Sequence, residues 1–141
     1  MKSQAGYLVR VLKPADIPAA RALWKKTVGV SRGDDRRTLL RLLKKNPGTC
    51  LVAIVGGKLV GKVMGTQDAR RGYIFHLAVD TAHRRRGIAS ALIRECIKGM
   101  RKAGARRIYL FARSGNRASM AFWKRAGWRV VDDVSFLSRG V

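Results

Sequence analysis

The residues best suited to chemistry are the eight from His83 to Ser90, which read His-Arg-Arg-Arg-Gly-Ile-Ala-Ser. They follow an apolar run at 73–79 and open a long segment, 87–102, whose apolar positions recur at helical spacing. Ile88, Leu92, Cys96 and Met100 form one face, with Ala89, Ile93 and Ile97 beside it. A helix start leaves several backbone N–H groups without partners and carries about half a positive charge, which suits it to a diphosphate. Gly87 and Ala89 let phosphates approach the backbone, Ser90 adds a hydroxyl donor, and Arg84, Arg85 and Arg86 add full charge. His83 suits contact with solvent or phosphate. A helix that merely begins after a basic loop explains the same string, so its meaning depends on what surrounds it.

The surrounding elements are readable from periodicity. Residues 7–12 alternate weakly and stop before Pro14, as a first strand does. From 16 to 26, Ile17, Ala20, Leu23 and Trp24 repeat at helical spacing, with Pro18 tolerated in the first turn. Asp34 or Asp35 caps a second helix with apolar face Leu39, Leu40, Leu42 and Leu43, ended by Asn46-Pro47-Gly48. Strands at 50–55 and 58–64 flank Gly56-Gly57, a hairpin signal, and another strand spans 73–79. After the 87–102 helix, closed by Gly104, come a strand at 107–112, a helix at 116–126 and a final hairpin of 128–131 with 134–137. The order β-α-α-β-β-β-α-β-α-β-β predicts an α+β fold with a mixed sheet. Its early strands are antiparallel, and a parallel central pair forms where the 87–102 helix crosses over.

Bulk properties narrow the class. A chain of 141 residues suits one domain, here 1–141, with no internal repeat or linker. No apolar stretch approaches the roughly 20 residues of a membrane span, and no signal-peptide pattern opens the chain, so a cytoplasmic protein is expected. Cys50 and Cys96 lie within apolar runs and read as small buried hydrophobes, with neither disulfide nor metal site implied. The formal net charge is +23, from 31 Lys+Arg against 8 Asp+Glu. Such a field attracts nucleic acid, an acidic acceptor or an anionic cofactor. Because basic residues recur through nearly every segment, a solvated surface with cofactor steering is favoured over a dedicated nucleic-acid role.

With these elements in place, the chain resembles the GNAT acyltransferase superfamily. The family's cofactor motif, L-x-V-D-P-x-x-R-G-x-G-x-G, is matched by Leu77, Val79, Asp80, Arg84, Gly87 and Ala89, with Thr81, Arg85 and Arg86 between them. Its second motif, N-x-x-A-x-x-F-Y-x-x-x-G-F, is matched by Asn116, Phe122, Trp123, Gly127 and Trp128, with Ala118 nearby. The resemblance implies a GNAT-like mixed sheet flanked by about four helices. It also implies direct transfer of an acetyl group from acetyl-CoA to a primary amine of a small molecule or protein. By the same resemblance, backbone groups of Leu77, Ala78 and Val79 would pair with the pantetheine arm, and Arg84, Arg85, Arg86, Gly87, Ile88, Ala89 and Ser90 would hold the pyrophosphate. Asn116 and Trp123 would border the cofactor.

Departures from the family pattern bear on catalysis. Thr81 stands where a proline is usual, Arg85 where a glycine is, and Trp123 where many members carry a tyrosine that protonates the departing thiolate. An indole N–H is no acid near neutral pH, so Trp123 reads as an aromatic wall. For a base or an amine-binding carboxylate the candidates are Tyr73, Asp34 and Asp35, and helix capping explains the aspartates equally well. Strand alternation turns His76 away from Phe75 and Leu77, which reads as a packed or surface histidine. The expected mechanism is therefore positioning, with water relaying the amine proton. The alternatives are a CoA-binding protein of the same fold with little catalysis, and a basic nucleic-acid or ribosome-associated module. Monomer and homodimer both remain open.

Overall fold

The computed structural model describes residues 3–4, 6–27 and 35–141. It comprises the strands β1 (Ser3–Gln4), β2 (Tyr7–Val11), β3 (Cys50–Val55), β4 (Lys58–Gln67), β5 (Arg71–Val79) and β6 (Arg107–Leu110). The helices are α1 (Ile17–Thr27), α2 (Arg36–Lys45), α3 (Ile88–Lys102) and α4 (Arg117–Arg125), with short 3-10 turns at Pro14–Asp16 and Thr81–His83. Two compact units result: residues 1–111, which hold the sheet and α1 to α3, and residues 112–141, which hold α4.

The six strands lie in sequence order, β1-β2-β3-β4-β5-β6. All neighbours are antiparallel except β5 and β6, which run parallel because α3 intervenes as the crossover. This is the mixed α+β sheet expected from the element order, except that the parallel pair ends the order of described strands instead of lying centrally, because no strand forms over 128–137. Gly56 and Gly57, with φ of +54° and +78°, make the tight turn between β3 and β4. Such a turn needs two residues that tolerate positive φ.

Helices cover both faces, so β3 is buried along Cys50, Leu51, Val52 and Ala53 instead of alternating. On the α1 and α2 side, Leu12, Ile17, Ala20, Leu39, Cys50, Val52 and Met64 form one core cluster. On the other side α3 buries Ile88, Ala91, Leu92, Cys96 and Met100. Small residues let α3 lie close. A Cβ at Gly65 would meet the Cys96 Sγ at 2.9 Å, and one at Gly99 would run into the Gly48 carbonyl. An Arg10–Asp16 ion pair with bonds of 2.6 and 2.9 Å ties β2 to the turn that launches α1.

One expected element does not form. Residues 128–131 and 134–137 carry hairpin patterning, but no strand exists among residues 126–141. Val130, Val131, Val134 and Leu137 are instead exposed. A two-stranded hairpin is marginal without further strands or an apolar surface to pack on, and β propensity alone does not provide either. The strand expected at 107–112 likewise ends at Leu110, and β4 extends to Gln67, beyond its expected end at 64.

Candidate functional site

The site begins where β5 changes partners. Its first half, Arg71 to Ile74, pairs with β6, while the described pairings of Leu77, Ala78 and Val79 are with β4 alone. Leu77, Ala78 and Val79 therefore lie on an edge of β5 with no strand partner among the described residues, the Val79 carbonyl accepting from Arg84 Nε; an extended ligand can add to such an edge like a further strand. The register also shifts here: Met64 faces His76 while the next residue, Gly65, faces Ile74, leaving Phe75 as an extra, bulged residue. Phe75 is 48% exposed.

His76 turns away from Leu77 and packs, as strand alternation predicts, but the bulge resets the alternation relative to the residues before Phe75. Opposite residues of an antiparallel pair share a face. Ile74 opposes Gly65, whose neighbours are Met100 and Cys96 of α3, whereas His76 opposes Met64, a member of the α1 and α2 core. Ile74 and His76 thus face opposite sides although they are two residues apart, and His76 falls on the side of Tyr73. There its ring stacks on Trp24 of α1, centroids 3.8 Å apart and planes at 17°. The Lys62 ammonium lies 4.8 Å from the Trp24 ring centroid and 3.8 Å from the Met64 sulfur, on a residue only 2% exposed. Burying an ammonium is costly, and the electron-rich face of Trp24 is one partner that offsets the cost. Tyr73 packs against Tyr109 of the parallel partner strand, centroids 5.7 Å apart.

At the end of β5 the chain turns under the control of Asp80, which is buried. Its amide donates to the Val60 carbonyl, and its carboxylate accepts from the Ala82 amide and from Lys26 Nζ, each at 3.2 Å. The Ala82 bond, followed by Lys26, holds the Asp80 carboxyl below the usual range. Arg84 donates from Nε to the Val79 carbonyl at 3.2 Å, so this side chain closes the turn as well as charging it. Arg85 takes a φ of +64°, the conformation in which glycine is easiest. For a residue with a Cβ this costs about 1–2 kcal/mol.

Gly87 is the N-cap of α3, at φ +80° and ψ +8°, and no side chain caps it. Its carbonyl accepts from the Ala91 amide at 3.0 Å and from the Tyr7 hydroxyl at 3.4 Å. The chain therefore fixes the carbonyl side of Gly87, and the first amides of α3 have no partner within the helix. Arg84, Arg85, Arg86, Gly87 and Ser90 are all exposed, and Ile88 is buried beneath them. An uncapped helix start with guanidinium charge around it is chemically suited to a phosphate group.

Other residues singled out from sequence have structural employment. Asp35 is the N-cap of α2, its Oδ1 accepting from the Thr38 amide at 2.7 Å, and that bond lowers its pKa. Asp34 lies outside the described residues. In the second unit, Asn116 caps α4 by accepting from the Ser119 amide at 3.0 Å. Trp123 is the buried residue of α4 and meets Phe122 and Trp128 edge-on, at 5.2 and 5.4 Å. Sequence reasoning missed the roles of Tyr7, Lys62 and Trp24. Only the two-residue spacing of Lys62 and Met64, opposite the 73–79 strand, hinted at a shared face. Among the described residues no group of three His, Cys, Asp or Glu side chains is arranged to hold a metal, and no helix is long and apolar enough to cross a membrane.

Comparison with known proteins bears on this geometry. The model of the acetyltransferase (GNAT) family matches residues 17–128. An acetyltransferase of Pectobacterium atrosepticum is 32% identical over 132 residues, covering 93% of this chain and 94% of that protein. Among solved structures, Ard1 from Thermoplasma volcanium superposes with a TM-score of 0.81 at 23% identity, over 91% of this chain and 86% of that one. AAC(6')-Iy, solved in complex with the bisubstrate analogue CoA-S-monomethyl-acetylneamine, gives 0.81 at 16% identity, over 96% and 99%. The two structural likenesses speak to the fold, and the family match and the sequence relative to descent. On that evidence, the chain belongs to the GNAT acetyltransferase family.

Proposed function

We propose that this protein is an N-acetyltransferase that moves an acetyl group from acetyl-CoA to a primary amine by direct transfer, the whole chain acting as one domain. The observation that carries the reading is the continuity of two features. The edge of β5 at Leu77–Val79, which has no strand partner among the described residues, leads through a short turn into the uncapped start of α3, preceded by three arginines. A CoA thioester has two parts that match them, an extended amide-bearing arm and a pyrophosphate.

In this reading, backbone groups of Leu77, Ala78 and Val79 receive the arm. Arg84, Arg85, Arg86, Gly87, Ile88, Ala89 and Ser90 receive the pyrophosphate. The residues present fit the group: Gly87 adds no side chain, its positive φ aims the cap, and the tip is open to solvent. Acetyl-CoA supplies the acyl group as a thioester. The protein binds and orients it, and its backbone amides stabilise charge on the reacting carbonyl oxygen. Asn116 and Trp123 are assigned to the cofactor side by family pattern. Asp34 and Asp35, near the start of α2, are candidates to attract a cationic acceptor, with Tyr73 a further candidate on β5. The acceptor must lose its proton before attack, since a lysine-type amine has a pKa near 10.4. With tryptophan at position 123, orientation and solvent proton transfer carry the chemistry.

The test is thiol release from acetyl-CoA in the presence of a panel of small amines and lysine-bearing peptides. Amine-dependent release supports the proposal. Tight CoA binding with no amine-dependent release across the panel would instead favour a CoA-binding role for the same fold.

A further inference from the structure

Helix α3 places basic residues spaced three and four apart on one outer face. At about 100° per residue, Ser90, Arg94, Lys98 and Arg101 fall within one narrow arc of α3. All four are exposed, opposite the buried Leu92, Cys96 and Met100. Exposed Arg84, Arg85 and Arg86 precede the helix in sequence, and exposed Lys102, Arg106 and Arg107 fall at or just after its end. Glu95 is the only carboxylate between residues 84 and 107. The remaining described carboxylates of the first unit are engaged elsewhere: Asp16 with Arg10, Asp35 at the α2 cap, Asp68 with Arg70, and Asp80 with Lys26. None of the three ion pairs among the described residues involves α3.

We propose that the outer face of α3 is a docking surface for the phosphate backbone of a nucleic-acid duplex. The charge placement carries this inference independently of acyl transfer. A helix of this length spans about 22 Å, and duplex DNA presents one negative charge per roughly 1.7 Å of axis, so the row matches several phosphates of one groove wall. The chemistry disfavours other polyanions. A helix lying in a membrane surface turns its apolar face outward, and that of α3 is in the core. Single-strand binding relies on stacked aromatic rings, and α3 has none. The face reads no bases, so its recognition is of backbone charge and shape.

The experiment is fluorescence anisotropy with a labelled DNA duplex of about 24 base pairs across about 50–300 mM NaCl. It compares the wild type, the triple variant R94Q/K98Q/R101Q, and the control R37Q/R41Q/K44Q on α2, which loses the same charge from exposed positions. Counterion release contributes about 0.9 to the log–log salt slope per phosphate contact. The α3 variant is expected to lose nearly three units of slope and roughly 100-fold or more in affinity near 0.1 M salt, and the control less than one unit. Amine-dependent thiol release stays unchanged in both, which separates this inference from the enzymatic one. Should the triple variant fail to fold by circular dichroism, Arg94→Gln alone is expected to remove about one unit. Equal losses in the two triple variants would overturn the assignment. So would absence of salt-dependent binding by the wild type, or equal displacement by polyglutamate of matched charge.

Discussion

Gly87 offers the sharpest separation of backbone geometry from ligand electrostatics. At φ +80° any residue with a Cβ is strained, by about 1–2 kcal/mol. A Cβ there meets only the Tyr7 hydroxyl oxygen, at an ordinary 3.8 Å. Gly87→Ala therefore introduces strain without a clash, and Gly87→Glu introduces the same strain plus a carboxylate beside the proposed pyrophosphate site. At about 5 Å, repulsion between unit charges is about 0.8 kcal/mol in bulk water and about 3 kcal/mol at an effective dielectric of 20. Relative to Gly87→Ala, the glutamate should weaken acetyl-CoA binding by about 4- to 250-fold. The exposure of Gly87 favours the lower part of that range. Calorimetric titration at low and high salt reads this difference, with melting temperature checking that both variants lose similar stability. Raising the salt should narrow the gap, because exposed charges are screened. Equal Kd values for the two variants would refute phosphate binding at this helix start.

Three further outcomes follow from other parts of the structure. Asp16→Asn should destabilise the fold by about 1–3 kcal/mol, because the Arg10 bonds to a charged acceptor are lost. Those bonds, ahead of the Lys13 amide, lower the Asp16 pKa. In the wild type their contribution is thus complete above the ordinary aspartate range near 4 and fades as pH falls through the depressed folded value, whereas the asparagine variant lacks this component in urea melts at different pH. The thiols should be inert in the native state. Burial pushes Cys96 up to about 12 and raises Cys50, so neither should react with a disulfide reagent at about pH 8 until denaturant is added. Trp123→Phe keeps an aromatic ring against Phe122 and Trp128 and should retain turnover within about threefold, since positioning carries the reaction. A loss of 100-fold or more in kcat by a folded variant would show that the indole takes part.

The basic turn and the start of α3 were legible because they are local. A strand, a basic turn and a glycine before a strongly periodic helix lie within thirty residues, and the observed boundaries of α3 differ from expectation only at Gly87, which is its cap. The double-glycine turn was legible for the same reason. What escaped depends on register. Nothing in Arg71–Val79 announces that Phe75 is bulged, yet that one residue decides which face His76 occupies. The burial of Lys62 was equally hidden, because a lysine in a strand normally marks the solvent side. Here the ammonium instead lies over the indole of Trp24, which α1 brings in from far away in sequence. Residues 128–137 failed in the opposite direction: the local β preference was present, but it is not backed by a strand ladder.

Backbone amides at the start of α3 are the proposed grip on phosphate, and amide-resolved NMR during titration with CoA observes them individually. The expected result is saturable shifts concentrated at Arg86 to Ser90 and along Leu77 to Val79, all with the Kd found by calorimetry. Saturable binding that leaves the amides of Gly87, Ala89 and Ser90 unmoved, with shifts gathered on another surface, would contradict it.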